Sequence, residues 1–156
     1  MDATAESISV EREIAIAASP ETVWELLVDP DEAIRWMGQK ATFDVRPGGE
    51  YRVEVIPGNV ARGEFVEIDP PHRLVYTWGW ESSNRGSSVA PGSTTIEFEL
   101  TPDGDGTVLH FSHRDLPSAE AATSHGHGWD HYLERLVAVA AGGDPGVDPW
   151  IVGPMS

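Results

Sequence analysis

The sequence predicts an α+β fold: a curved antiparallel sheet of six to seven strands wrapped around one long C-terminal helix, with two short helices after the first strand. Three observations predict it. Residues 41 to 114 read as short alternating strands broken by turn signals such as Pro47-Gly48-Gly49 and Pro57-Gly58-Asn59. Trp129, Tyr132, Leu133, Leu136, Val137 and Ala140 form a single apolar stripe at helical spacing. Ser19-Pro20-Glu21 and Asp29-Pro30-Asp31-Glu32 are two successive helix starts, each with a capping side chain followed by proline.

Ile8, Val10, Ile14 and Ile16 share one parity while Glu11 and Glu13 take the other, which describes a half-buried first strand. Arg12 interrupts the apolar parity and requires a carboxylate or water. Val23, Leu26 and Leu27 stripe the first helix. A second helix is expected to run through Ile34 to Met37, with Glu32 placed for a capping box. Then come Phe43 and Val45, Tyr51 to Val55, and Phe65 to Ile68, followed by an aromatic run of Leu74, Tyr76, Trp78 and Trp80. Ile96 to Leu100 and Leu109 to His113 close the meander around the turn at Asp103-Gly104-Asp105-Gly106. Residues 82–93, rich in Ser and Gly, form a long loop able to act as a lid. Ser118 is a candidate cap for the last helix, although Gly126 and Gly128 weaken its first half. Gly142-Gly143 ends it. Residues 1–142 thus make one domain, and 143–156 a tail that is extended or disordered unless the Trp150-Ile151-Val152 patch docks.

Composition excludes several functions. The 156 residues are 40% hydrophobic and include no cysteine, so a disulfide scaffold, a thiol nucleophile and a thiolate metal site are ruled out. Acidic residues outnumber basic ones 26 to 10, a net charge of −16 that repels nucleic acid and anionic membrane surfaces. The polar, acidic start carries no signal-peptide pattern, so a cytoplasmic location is expected. Phosphate-cradling loops, dinucleotide fingerprints and Gly-x-Ser-x-Gly elbows are absent, and no cofactor is implied.

Several motifs resemble one superfamily. Ser19-Pro20-x-x-Val23-Trp24, Asp29-Pro30 with Arg35-Trp36, and Arg46-Pro47-Gly48-Gly49 are similar to the opening of START-like (SRPBCC, helix-grip) domains. So are Gly63-x-x-x-Glu67-Ile68-Asp69-Pro70-Pro71-x-Arg73-Leu74-Val75-Tyr76-Thr77-Trp78, Gly106-Thr107-x-Leu109 and Gly128-Trp129-x-x-Tyr132-Leu133-x-x-Leu136. The combination, spanning roughly residues 8 to 142, points to the branch resembling the activator of heat-shock-protein-90 ATPase. That resemblance implies a helix-grip fold with a ligand space between sheet and helix. It does not choose among lipid carriage, polyketide cyclisation or aromatisation, resistance to a reactive natural product such as an enediyne, and chaperone interaction.

The leading expectation is a binding protein for a hydrophobic, aromatic or polycyclic small molecule, acting as a monomer or weak homodimer. Its candidate lining is Trp36, Tyr51, Val53, Phe65, Tyr76, Trp78, Trp80, Phe98, Phe111, His113, Trp129, Tyr132, Leu133 and Leu136. Ordinary core packing explains the same rings equally well. On the resemblance, Trp36 sits near the cavity mouth; a cap on the helix pair is the other account. Of the six histidines, His113 and His125 face inward and are the candidates for a general base, against a hydrogen-bonded structural role. His127 and His131, at i and i+4, fall on the solvent side with no third ligand set by spacing, so no metal site is assigned. Glu97 and Glu99 are expected outside, whereas one of Glu64 and Glu67 points inward and could answer Arg12.

Overall fold

A computed structural model of the chain describes residues 8–82 and 89–152. Segment 83–88 of the expected lid lies outside the described residues. The order is β1 (Ile8–Ile16), α1 (Pro20–Val28), α2 (Pro30–Ala33), β2 (Lys40–Phe43), β3 (Glu50–Ile56), β4 (Asn59–Asp69), β5 (Arg73–Trp78), β6 (Trp80–Ser82), β7 (Thr94–Asp103), β8 (Gly106–Leu116), α3 (Ala119–Ala140) and α4 (Pro149–Val152). The sheet is antiparallel with eight strands in the order β1-β8-β7-β5-β4-β3-β2, and β6 also pairs with β4. This is the expected α+β helix-grip arrangement. Among the described residues no helix is long and apolar enough to cross a membrane.

The caps form as the sequence dictates. The Ser19 side chain accepts from the Thr22 N–H, and that of Asp29 from the Asp31 N–H. The second helix, however, stops at Ala33 instead of running to Met37. Trp36 and Met37 are drawn into the core through a turn, and the Trp36 indole donates to the Leu26 carbonyl at 2.7 Å. The aromatic run from Leu74 to Trp80 is also broken, at Gly79. A Cβ there would lie 1.6 Å from the Ala90 carbonyl oxygen, so only glycine lets the two segments approach. The chain then re-pairs as β6, with Trp80 opposite Ala61. The division at Gly79 explains why the sheet has more strands than the periodicity counted.

Helix α3 runs unbroken through both of its internal glycines, and the Ser118 hydroxyl caps it by accepting from Ala121 N–H at 3.0 Å. Gly126 faces β1, where an added Cβ would come within 3.2 Å of Arg12 Nη2. That clearance lets Arg12 reach across to Asp130, with its Nε at 2.6 Å from Oδ1 and its Nη2 at 3.2 Å from Oδ2. The pairing raises the Arg12 pKa and holds the Asp130 carboxyl below the usual range. The expected inward acid among Glu64 and Glu67 is not present: both are exposed, and Glu67 pairs with Arg73 at 3.1 Å. The outer sheet face is polar, with Glu97 bridging Arg73 and Arg114.

Gly128 carries neither burden, since nothing lies within 4 Å of a Cβ added at that helical position. Gly128→Ala is expected to stabilise the fold by about 0.5–1 kcal/mol through helix propensity. Gly79→Ala should cost about 3 kcal/mol or more, because the clash is with backbone. Urea titrations of the two variants beside the parent measure both.

Candidate functional site

Alternation on β3, β4, β5, β7 and β8 sends Tyr51, Val53, Phe65, Tyr76, Trp78, Phe98, Phe111 and His113 to the inner face, where all are buried. Helix α3 supplies Trp129, Tyr132, Leu133 and Leu136 from the opposite side, also buried. The structure therefore brings these sequence-predicted residues into one cluster. Tyr51 stacks on Tyr76 with centroids 4.0 Å apart, and Trp129 lies 4.6 Å from Phe111 and 5.4 Å from Trp78. Trp80 is half-buried at the rim, 5.4 Å from Trp78 and edge-on to it. Trp36 is held apart from these rings: its indole N–H binds α1 and its carbonyl accepts from Arg135 Nε at 3.2 Å, which fits the account of it as a cap on the helix pair.

Polar groups inside this cluster form a chain. Trp129 Nε1–H donates to His113 Nδ1 at 3.0 Å, so the neutral imidazole carries its proton on Nε2. That proton goes to Thr94 Oγ1 at 2.8 Å, whose own hydroxyl donates to the Trp78 carbonyl at 2.7 Å. Burial, with His125 as a nearby second cause, pushes the His113 pKa down to about 3. His125 is likewise lowered by burial; its Nδ1–H donates to the Ala121 carbonyl and its Nε2 accepts from Trp80 Nε1–H at 3.0 Å. Each ring thus spends both nitrogens on the protein. Either one acting as a general base would first have to give up a hydrogen bond.

Two of the three buried phenols pair with each other. The Tyr76 hydroxyl donates to that of Tyr51 at 3.4 Å, and burial raises both pKa values. Among the described residues the Trp78 indole N–H is buried without an acceptor, and the Tyr132 hydroxyl is also buried without a hydrogen bond.

Sequence reasoning missed two features. Thr94 links His113 to β5, and its parity with Ile96 and Phe98 was the available signal. The other is the tail. His131 does not face solvent: Trp150 stacks on it at 3.7 Å and 15°, and Asp148 Oδ1 accepts from its Nε2 at 2.8 Å. Docking of Trp150 brings this about and leaves His127 exposed. Among the described residues no group of three or more His, Asp or Glu is placed to hold a metal. Among the described residues, open clefts outside the aromatic cluster include two larger ones. One, of about 530 Å³, is lined by Gly48, Glu50, Arg62, Glu64 and Thr77 on the outer face. The other, of about 840 Å³, lies between residues 34–39 and the tail.

The family described as activator of Hsp90 ATPase homolog 1-like protein (AHSA1) has a model that matches residues 17–141. The chain belongs to this AHSA1-like family. No curated protein sequence matches it. Among solved structures it is similar to an AHSA1-like protein from Rhizobium etli, at 46% identity and TM-score 0.74, over 97% of this chain and 92% of that one. It is similar to CalU16 from Micromonospora echinospora at 26% identity and TM-score 0.72, over 94% and 80% of the two chains. It shares its fold with an HSP90 activator from Plasmodium falciparum, at 21% identity and TM-score 0.69, over 84% and 94%. It also shares its fold with DynU16, from the dynemicin biosynthetic locus, at 22% identity and TM-score 0.70, over 83% and 45%. AHSA1-like membership agrees with the helix-grip fold expected from the motifs.

The buried neutral histidine sets a pH dependence. The unfolded chain takes up a proton at His113 below about pH 6.5, while the folded chain resists until about pH 3. Stability is therefore full above pH 6.5 and falls by about 1.4 kcal/mol per pH unit for this group within that window. Chemical denaturation at pH 7.5 and pH 5 should show a loss that is smaller in His113→Gln than in the parent.

Proposed function

We propose that the chain binds a hydrophobic small molecule, aromatic or polycyclic and of lipid or natural-product type, between the sheet and α3. The observation that carries this reading is the Trp78 indole. It is 2% exposed, sits among Tyr51, Trp80 and Trp129, and offers a donor with no partner. A buried unmatched donor costs about 1–3 kcal/mol, which a carbonyl or ether oxygen on a flat ligand would recover. The surrounding rings supply apolar area and stacking partners for such a ligand. Similarity of fold to a protein of the dynemicin biosynthetic locus adds support for the natural-product class.

The cyclase- or aromatase-like reading has less support, because His113 and His125 are committed to internal hydrogen bonds. In the binding reading the protein acts as a monomer or weak homodimer in the cytoplasm. The net charge of −16 favours neither nucleic acid nor anionic lipid as partner.

Binding of 1,8-dihydroxyanthraquinone, a flat probe with ring carbonyls, tests the proposal. The six tryptophans give separate indole N–H signals in a nitrogen–proton correlation spectrum. The Trp78 signal is expected to shift most on titration. Trp78→Phe keeps a ring but removes the donor, and should raise Kd about 5- to 10-fold. No quenching and no indole shift across a panel of such probes and fatty acids would sink the reading.

A further inference from the structure

The interior rings lie in mutual contact, so a ligand reaches Trp78 only if some covering element moves. We infer that residues 144–152 form a strap that gates access to the space between the sheet and α3. Its service to a ligand rests on the binding reading above; its motion does not.

The strap is fastened mainly to one face of α3. Arg135 Nη2 donates to the Gly146 carbonyl at 2.8 Å, Asp148 takes the His131 Nε2 contact, and Trp150 stacks on that imidazole. Beneath it lies Tyr132, a buried ring of the interior cluster, with Trp150 edge-on to it at 5.7 Å. The docked state is imperfectly matched. Burial, and then the facing Asp148 carboxylate, raise the Tyr132 pKa, yet its hydroxyl and Asp148 Oδ2 are both buried without a well-formed hydrogen bond. Undocking would hydrate both groups, which offsets part of the apolar burial lost with Trp150.

The strap also has a hinge and a seam. Gly142 and Gly146 adopt φ of +90° and +75°, with nothing within 4 Å of a Cβ at either. They bracket the start of the segment just after α3 ends. Its other side faces the 840 Å³ crevice, across which stand residues 34–39. Trp36, Met37 and Val139 in that crevice belong to the core cluster. Swinging the strap outward about Gly142 therefore widens an opening that already reaches the core.

A chain without cysteine allows a clean test. Ile34 and Val147 are exposed and line opposite walls of the crevice, so Ile34→Cys with Val147→Cys can be bridged by a reductant-cleavable bis-maleimide. Hydrogen exchange at the Trp78 and Trp129 indoles reads access without any ligand, and the backbone amides of the β7–β8 ladder report global opening. Bridging is expected to slow Trp78 and Trp129 exchange at least 10-fold until the linker is reduced. Trp150→Ala should speed it at least 10-fold with the β7–β8 ladder amides little changed, and the association rate of 1,8-dihydroxyanthraquinone should move in the same directions. Unchanged exchange in both the bridged chain and Trp150→Ala overturns the gate. Exchange that responds as expected while the probe binds no form supports the gate and removes the ligand reading.

Discussion

Trp129 joins helix to sheet through an indole N–H whose burial without an acceptor would cost about 1–3 kcal/mol. His113 supplies that acceptor, but only as the Nε2-protonated neutral tautomer, which in turn needs Thr94 as a partner. Thr94 passes its proton to the Trp78 carbonyl, so α3, β8, β7 and β5 are joined through a single line of polar atoms inside an aromatic core. Registry between helix and sheet is therefore set by hydrogen-bond direction as well as by shape. An aliphatic seam of similar area would allow α3 to slide by a residue at modest cost; this one would orphan an indole and an imidazole together.

The remaining contacts of α3 follow from that seat. With Trp129 fixed, Gly126 comes to lie over β1, and Asp130 comes within reach of Arg12. Arg135, further along, holds both the Trp36 turn and the tail. The charged residues are arranged around this seat and not within it. Arg73, Arg114, Arg52 and Arg62 all pair with carboxylates on the outer side, and much of the acidic excess remains there in water.

The fold was legible because its signals are periodic. Alternation placed the inner residues, proline after a capping side chain placed both helix starts, and the stripe from Trp129 to Ala140 placed α3. What escaped was set by close approach. Nothing in the pattern of Leu74 to Trp80 shows that Ala90 will press against residue 79, which is what divides the strand. Arg12 announced a need for a partner, but Asp130 lies 118 residues away and comes within reach only once α3 is seated. Parity marked His113 as inward and helical spacing marked His125, while the engagement of all four of their nitrogens depends on where two indoles point. His131 was placed by the helical wheel on the solvent side, and a stacking partner from beyond the helix covered it.

The longest strands include β4, and it changes company along its length. Its first residues pair with β3 and β6, and its later ones with β5, with an irregularity between Phe65 and Glu67 where Val66 is turned outward, 53% exposed. A bulge at such a junction is where a sheet bends at least cost. Within the sheet, the β1-β8-β7-β5 half, tied to α3 by the polar line, is joined to the β2-β3 half through this strand. The angle at this one crease therefore sets how far the two halves of the sheet diverge, with the ladders on either side intact.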